Sequence, residues 1–498
     1  MRWSLLAAAL GLPSVPEPAR NNEVIGITYD SRQAREGTVF VAIPGQHQDG
    51  HQFVKTALAQ GAVVAVVERE LPGVDPGRLA VVADTRAALA MLAATFYGHP
   101  STLVPVVGIT GTDGKTTTTT MLHAALSAAM GKVGSLSTVD FRLGSQIEPN
   151  LSRQTTLESL DLQAWMRRMV DQGCQSIALE ATSHGLALGR LDQICFAGAV
   201  YTSITHEHLD FHKTWEAYFE AKASLLDRSA SAGGFAVLNL DDSRAFPLLY
   251  ERAPARVLNY SARGAREADL RAERVTPEAS GLAFTAVTPA GTADIRLATA
   301  GRWNVGNALA ALAAGLLLEQ PLPALAAGLA ALKAVPGRME VVDLGQPFAV
   351  IVDYAHTPAA LTLALHELRA ATAGRLWVVF GSAGERDTAK RAEMGTIAAQ
   401  LADQVVITSE DPRDEDPEAI IDEIWSGAVA GGADPQANLH RDPDRDRAIR
   451  IAIGAALPGD TVLLAGKGHE QSILVASGAL PWDERAAAET ALRETKGL

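Results

Sequence analysis

The segment Gly111-Thr112-Asp113-Gly114-Lys115-Thr116-Thr117 follows the apolar run Val104–Ile109 and opens a threonine-rich helical stretch. A glycine turn at a strand-to-helix junction points free backbone N–H groups and the positive end of the helix at one spot, which suits a polyphosphate. Lys115 adds a mobile positive charge for the outer phosphates, and the Thr116 hydroxyl can ligate Mg²⁺. The strict phosphate-loop pattern would start with glycine at 109, which is Ile here, with Gly108 and Gly111 on either side. ATP is the ligand this segment implies. Glu180 ends the apolar run Ser176–Glu180, and a carboxylate there can hold Mg²⁺ opposite Thr116. The run Thr205–His212 concentrates potential ligands in His206, Glu207, His208, Asp210 and His212. It has two readings. One is a single His–Mg²⁺ contact beside Glu180; the other is a dinuclear zinc hydrolase. Phe211 interrupts the zinc spacing, and that reading leaves the glycine loop unexplained. Ser183 and His184 are adjacent, so on a regular backbone they point apart, and no nucleophile-elbow glycines surround them.

In the last third, polar clusters follow four apolar runs: Asp353-Tyr-Ala-His356, Gly381…Arg386…Arg391, Glu410-Asp411-Pro412-Arg413, and Gly466-Lys-Gly-His-Glu470. In open parallel sheets ligands sit beyond the carboxyl ends of the strands. Acidic and basic groups converging there suit a zwitterion, with Arg on its carboxylate and Glu on its ammonium. Lys222 lies in a helical pattern, where a lysine is ordinarily solvated. Asn304 and Asn307 open an alanine-rich helix that can reach a nucleotide.

These residues need rigid elements to hold them. At 498 residues the chain has room for about three domains. Short apolar runs over 24–100 alternate with alanine-rich helical stretches and predict a small α/β domain. A second block opens at Val104 and continues through Ser176–Glu180, Ala197–Tyr201 and Phe235–Asn239. Strands alternating with helices predict a parallel sheet covered on both faces. Shorter, Pro- and Gly-punctuated runs over about 255–300 read as β. The pattern resets near Val335-Pro-Gly-Arg338, after which Phe348–Asp353, Leu376–Phe380, Gln404–Thr408 and Thr461–Ala465 give a second parallel sheet. The expected boundaries are 1–101, 102–334 and 335–498. A net charge of −14 argues against sequence-independent nucleic-acid binding, which needs excess Lys and Arg. Two cysteines in no metal or redox spacing fit a reducing compartment. The short apolar start reads as an amphipathic first helix, no run reaches membrane-spanning length, and a cytoplasmic monomer is expected.

Together, Gly111–Thr117, Glu180-Ala-Thr-Ser-His184, His208-Leu-Asp-Phe-His212 and Tyr218…Lys222 resemble the central domain of the Mur ligases. The combination Asp30-Ser31-Arg32, Asp49-Gly-His51, Asp353-Tyr-Ala-His-Thr-Pro358 and Gly466–Glu470 is similar to the branch that adds the third amino acid of the peptidoglycan stem. The resemblance implies a three-domain α/β fold, with a central P-loop ATPase domain and a C-terminal Rossmann-like domain. It implies ATP-dependent attachment of a diamino acid (meso-diaminopimelate, L-lysine or L-ornithine) to the D-Glu of UDP-N-acetylmuramoyl-L-Ala-D-Glu through an acyl phosphate. Carried over by position, Lys115, Glu180, His208 and Lys222 are catalytic. Thr116, Glu180, His208 and Lys222 as a carbamate hold Mg²⁺ at two sites. Gly111–Thr117, Asn304, Arg338 and Asp353 contact ATP. Tyr29, Ser31, Gln46, His47 and Gln48 match the uridine site, and Thr155, Thr156, Thr182 and Arg190 the muramoyl peptide. Arg386, Glu410, Asp411, Pro412, Arg413, Gly466 and Glu470 match the amino-acid site. Asp113 replaces an Asn of the family and is expected to face away from phosphate or contact the helix. Leu188 replaces a Gln, and His206-Glu207 an Arg-Asp. The family's Asp-Asn-Pro-Arg stands here as Glu410-Asp411-Pro412-Arg413. Arg413 suits a distal carboxylate and the added charge of Asp411 a distal ammonium, so both kinds of amino acid stay open.

Overall fold

The computed structural model describes residues 1–12, 22–45, 48–152, 154–205, 207–278 and 281–497. Chain contacts divide it into two units, Met1–Arg271 with Asn307–Gly328, and Ala272–Gly306 with Leu329–Leu498.

The first unit begins with the expected short helix, Trp3–Ala9. Four parallel strands follow in the order β1 (Gly26–Thr28), β2 (Thr38–Val41), β3 (Val64–Val67) and β4 (Leu79–Val81). Strands β2 and β3 are mostly β-branched and buried on both faces, as a parallel sheet flanked by helices requires. Alternation does the sorting. Val39, Val41, Val64 and Val66 pack with Trp3, Leu6, Leu89 and Leu92. Phe40, Ala65 and Val67 face Val54, Ala57 and Leu58 on the other side. Helix Thr85–Phe96 is capped by Asp84, whose carboxylate accepts from the N–H groups of Arg86 and Ala87.

The second sheet of this unit runs β12 (Val257–Ser261), β11 (Phe235–Asn239), β10 (Phe196–Tyr201), β5 (Val106–Thr110), β9 (Ile177–Glu180), β6 (Gly134–Leu136), β7 (Asp140–Leu143), β8 (Gln146–Pro149). The strands from β12 to β6 are parallel, and the bounds of β5, β9, β10 and β11 follow the apolar runs within about two residues. Strands β7 and β8 are antiparallel, so this edge departs from the all-parallel sheet expected. The reason is local. Segments 140–143 and 146–149 mix charged, polar and apolar residues, β8 is largely exposed, and Gly144 at φ 61° makes the turn between them. The loop helix Lys115–Met130 buries Thr116 to Thr120 in succession. β-Branched residues are poor helix formers, and tertiary packing overrides that preference here.

In the second unit, β14 (Gly281–Thr288) and β15 (Gly291–Leu297) form an antiparallel pair in register from Leu282↔Leu297 to Thr288↔Gly291, within the stretch expected to be β. Its main sheet runs β16 (Glu340–Val341), β17 (Ala349–Asp353), β21 (Thr461–Ala465), β18 (Leu376–Phe380), β19 (Gln404–Thr408), β20 (Leu439–Asp442), parallel except for β16. Strands β22 (Ser472–Val475) and β23 (Gly478–Pro481) make a separate hairpin. Helices Ala389–Leu401 and Pro417–Ala430 meet at two glycines: a Cβ on Gly395 would lie 2.1 Å from the Ile424 carbonyl oxygen, and one on Gly427 2.0 Å from that of Ala392. Among the described residues, no helix is long and apolar enough to cross a membrane.

Candidate active site

The carboxyl ends of β5, β9 and β10 bring Gly111, Glu180 and Thr202 together, because each lies at or just after the last residue of its strand. Gly111 (φ 153°) and Gly114 (φ 81°) are forced to be glycine on two counts. Beyond the unfavourable φ, a Cβ would sit 1.8 Å from Thr202 Oγ1 at the first and 2.4 Å from Asn307 Oδ1 at the second. Thr202 Oγ1 donates to the Asp113 carbonyl at 2.5 Å, and Thr118 Oγ1 to Asn307 Oδ1 at 3.2 Å, so the loop is braced from both sides. The Asp113 residue is exposed. Lys115 Nζ donates to the carbonyls of Gly111 (3.0 Å) and Thr112 (2.7 Å), folded back over the loop it would serve.

Glu180 is fully buried and its pKa is raised by that burial, against the opposing pull of Lys115 and of hydrogen bonds from Thr138 and Thr116. Its Oε1 accepts from Thr138 N–H at 3.1 Å and its Oε2 from Thr138 Oγ1 at 2.9 Å. Lys222 is equally enclosed, its Nζ donating to Gly111 O at 2.6 Å. Burial, and then the neighbouring Lys115 charge, hold its pKa well below that of an ordinary lysine, which favours the neutral amine. The solvated reading of this helical lysine is therefore overturned. Tyr218, one turn earlier, places its ring 4.7 Å from Lys222 Nζ and its hydroxyl 2.9 Å from Thr112 Oγ1. His208 stands apart as an exposed residue at φ 55°, its Nε2 3.7 Å from Glu207 Oε2 and its ring edge-on to His184. His206, Gln46 and His47 lie outside the described residues. Among the described residues, no three His, Cys, Asp or Glu side chains gather as a metal group would. A buried carboxylate beside a hydroxyl is nonetheless the oxygen donor set Mg²⁺ prefers.

The residues matched to the muramoyl peptide converge on Glu180. Thr138 Oγ1, its proton given to Glu180, lies 2.9 Å from Thr155 Oγ1 and accepts from it, while Thr156 Oγ1 donates to the Glu180 carbonyl (3.0 Å) and Thr182 Oγ1 to Thr156 Oγ1 (3.0 Å). Arg190 Nη1 donates to Thr156 O at 3.1 Å. In the first sheet, Tyr29 donates to Asp161 Oδ2 at 2.8 Å, Ser31 begins a turn capped by Asp30, and Gln48 is exposed. Thr138 and Thr202 support this site without having been singled out in the sequence, whereas Tyr218, four residues before Lys222 on one helical face, was marked there together with that lysine.

In the second unit, the Asp353 carboxylate accepts from the N–H groups of Met339 (2.7 Å) and Ala355 (2.9 Å), and Arg338 lies over the Tyr354 ring. Asn304 is buried and donates to Ala300 O. Beyond β19, Glu410 is buried with its pKa raised by burial, and its Oε2 has no hydrogen-bond partner. Gly466 (φ 103°) brings the chain so close that a Cβ would be 2.9 Å from that same oxygen. The Asp411 Oδ1 takes Lys467 Nζ at 2.8 Å and the N–H of Leu474 at 2.9 Å, so this oxygen is engaged inside the protein. Lys467 Nζ also bonds Glu470 Oε2 at 2.5 Å. Pro412 is buried, its carbonyl packed against Gly384. Arg413, at φ 56°, pairs its backbone N–H with Leu474 O while its Nε is buried without a partner. Arg386 is exposed on the loop after β18.

Three family descriptions match in turn: the Mur ligase family catalytic domain over residues 23–97, the Mur ligase middle domain over 109–315, and the Mur ligase glutamate ligase domain over 337–468. A UDP-N-acetylmuramyl-tripeptide synthetase of Roseiflexus sp. is 46% identical over 494 residues, covering 96% of each chain. A UDP-N-acetylmuramoyl-L-alanyl-D-glutamate–2,6-diaminopimelate ligase of Streptomyces coelicolor is 41% identical, covering 99% of this chain and 96% of that one. A solved structure described as the same kind of diaminopimelate ligase superposes with a TM-score of 0.69 at 30% identity, covering 98% of both. The glycine loop, the buried glutamate and the buried lysine thus sit in a chain that matches one family from its first sheet to its last: the protein belongs to the Mur ligase family.

Proposed function

We propose that this chain attaches a diamino acid to the D-Glu carboxylate of UDP-N-acetylmuramoyl-L-Ala-D-Glu, using ATP and releasing ADP and phosphate through an acyl phosphate. The observation that carries it is the enclosure of Glu180 against the Thr116 hydroxyl and of Lys222 against the Gly111 carbonyl, both beside Lys115. Phosphoryl transfer asks the protein for positioning and charge neutralisation rather than covalent chemistry. Lys115, released from the carbonyls it now covers, is the mobile cation for the transferring phosphoryl group. Gly111 to Thr117 supply backbone N–H groups for the phosphates, and Asn304, Arg338 and Asp353 are assigned to the nucleotide.

Thr116, Glu180, His208 and Lys222 as a carbamate would hold Mg²⁺ at two positions, supplying further neutralisation of phosphate charge. The low pKa of Lys222 supports the carbamate, since only a neutral amine adds CO₂. Tyr29, Ser31 and the turn ending at Gln48 are assigned to the uridine end, and Thr155, Thr156, Thr182 and Arg190 to the muramoyl peptide. For the incoming amino acid, the unpartnered Glu410 Oε2 fits an ammonium and the unpartnered Arg413 Nε a carboxylate, with Arg386, Gly466 and Glu470 alongside. With Asp411 held on Lys467, the unpartnered Arg413 Nε favours an amino acid bearing a distal carboxylate. The three ligand-binding stretches on this reading are 1–101, 102–334 and 335–498, acting as a monomer in the cytoplasm.

The test is product formation with ATP, Mg²⁺ and UDP-N-acetylmuramoyl-L-Ala-D-Glu, offering meso-diaminopimelate, L-lysine and L-ornithine in parallel. Turnover with diaminopimelate is expected. Turnover with lysine or ornithine alone would move the choice of amino acid away from Arg413, and ADP release with none of the three would overturn the reading.

A further inference from the structure

Glu158 stands just before helix Ser159–Asp171, where a carboxylate would ordinarily cap the helix, yet its side chain caps nothing. Instead it lies between two arginines from different parts of the first unit. Its Oε1 is 2.7 Å from Arg190 Nε and its Oε2 3.6 Å from Arg86 Nη1, charge contacts in which neither nitrogen makes an aligned hydrogen bond. All three side chains are largely shielded: 11% of Glu158 remains exposed, 16% of Arg190 and 25% of Arg86. Arg86 is the second residue of the capped helix Thr85–Phe96, and its Nη2 reaches the carbonyl of Pro44, before the turn closed by Gly45 and Gln48. Arg190 gives Nη1 to Thr156 O. The Thr156 carbonyl and the Glu158 charge thus hold the planar guanidinium of Arg190 from two sides. One turn along the same helix, Asp161 accepts from Tyr29, so the start of this helix takes polar side chains from the first sheet at two positions.

We propose that Glu158 is a positioning residue for substrate. It fixes the direction in which Arg190 presents its free edge to a carboxylate of the muramoyl peptide, and through Arg86 it ties that direction to the first sheet. The proposal rests on the function read above. A carboxylate between two guanidinium groups is electrostatically balanced only while its charge is present. Neutralising it leaves two shielded cations without their shared anion, and Arg190, then held only by the Thr156 carbonyl, loses the charge contact that orients it.

The test is steady-state kinetics of the full chain with the Glu158→Gln variant. The KM for UDP-N-acetylmuramoyl-L-Ala-D-Glu is expected to rise about tenfold, the effect of misplacing one charge-assisted contact, with kcat and the KM for ATP within about twofold. Binding of UDP alone, which has no carboxylate, is expected to stay within about twofold by calorimetry, whereas a general loosening of the fold would weaken it too. Glu158→Asp, which keeps the charge, is expected to recover part of the loss. Arg86→Met is expected to raise the same KM by a smaller factor, and the double variant to be no worse than Glu158→Gln alone, since Arg86 acts through Glu158. An unchanged dipeptide KM in Glu158→Gln, an equal loss of UDP binding, or strict additivity in the double variant would each overturn the proposal. If Glu158→Gln fails to fold, Arg86→Met alone decides, and an unchanged KM there would overturn it. A wild-type chain that makes no tripeptide product signals instead that the functional reading itself is wrong.

Discussion

A lysine whose helical pattern reads as solvated in the sequence is enclosed within the first unit. Lys222 owes this to Tyr218 and to the glycine loop, which remove water from its ammonium without supplying a counter-charge in contact. Replacing Lys222 with Ala is expected to lower kcat by about a hundredfold or more, with partial recovery on adding acetate or formate, small carboxylates that fit the vacated space. Activity assayed with and without these additives checks both halves, and full activity in the variant would remove the lysine from the mechanism. Arg413 and Asp411 make a contrasting pair. Arg413→Ala is expected to raise the KM for diaminopimelate by about tenfold to a hundredfold, the range for losing a charge-assisted contact to a carboxylate, and to leave that for the muramoyl dipeptide alone. Asp411→Asn keeps an oxygen for the Leu474 N–H but removes the charge from Lys467, so its expected effect is on melting temperature rather than on which amino acid is taken. Parallel initial rates with the three amino acids separate these outcomes.

The loop helix shows how an element's packing becomes a pH dependence. His123 lies on the helix Lys115–Met130 and is buried, and that burial, followed by the nearby positive charge of Arg142, lowers its pKa to about 4. An unfolded chain would protonate the same ring near its ordinary value of about 6.5, so the unfolded state binds the proton first as pH falls. Its contribution to stability is therefore complete above pH ~6.5 and is lost between there and about pH 4, at about 1.4 kcal/mol per pH unit. Denaturation of the wild type and of His123→Leu at pH 7 and pH 5 should show a steeper acid loss for the wild type, and parallel curves would refute the assignment. The same helix explains part of what was readable in advance. Its start was legible because Gly114-Lys115-Thr116 marks a particular junction, and the threonine run read as helical, but that those threonines are buried was not legible. The edge strands β7 and β8 were illegible because a two-residue hairpin of mixed polarity leaves no period to detect.

At the scale of the molecule, the two units carry different ligand sets. Tyr29, Ser31, Thr155, Thr156, Thr182 and Arg190 belong to the first, and Arg386, Glu410, Arg413, Gly466 and Glu470 to the second. A ligand that binds only folded protein stabilises the unit that holds it, by about 2.7 kcal/mol at a hundred times its Kd. Scanning calorimetry is expected to resolve two transitions, with UDP-N-acetylmuramoyl-L-Ala-D-Glu raising one and diaminopimelate the other. A single transition raised equally by both would mean that the units unfold together. The sequence by itself determined the parallel sheets, the glycine loop and the polar clusters at strand ends, because apolar period, glycine placement and strand termini are local properties. It also held the resemblance to the Mur ligases, since motif spacing survives where contacts cannot be seen. Only the tertiary structure decided that Asp411 is spent on Lys467, that Lys222 is dry, and that Glu158 stands between Arg86 and Arg190. Charge neutralisation and desolvation depend on which residues distant in sequence meet in space, and no spacing along the chain encodes that.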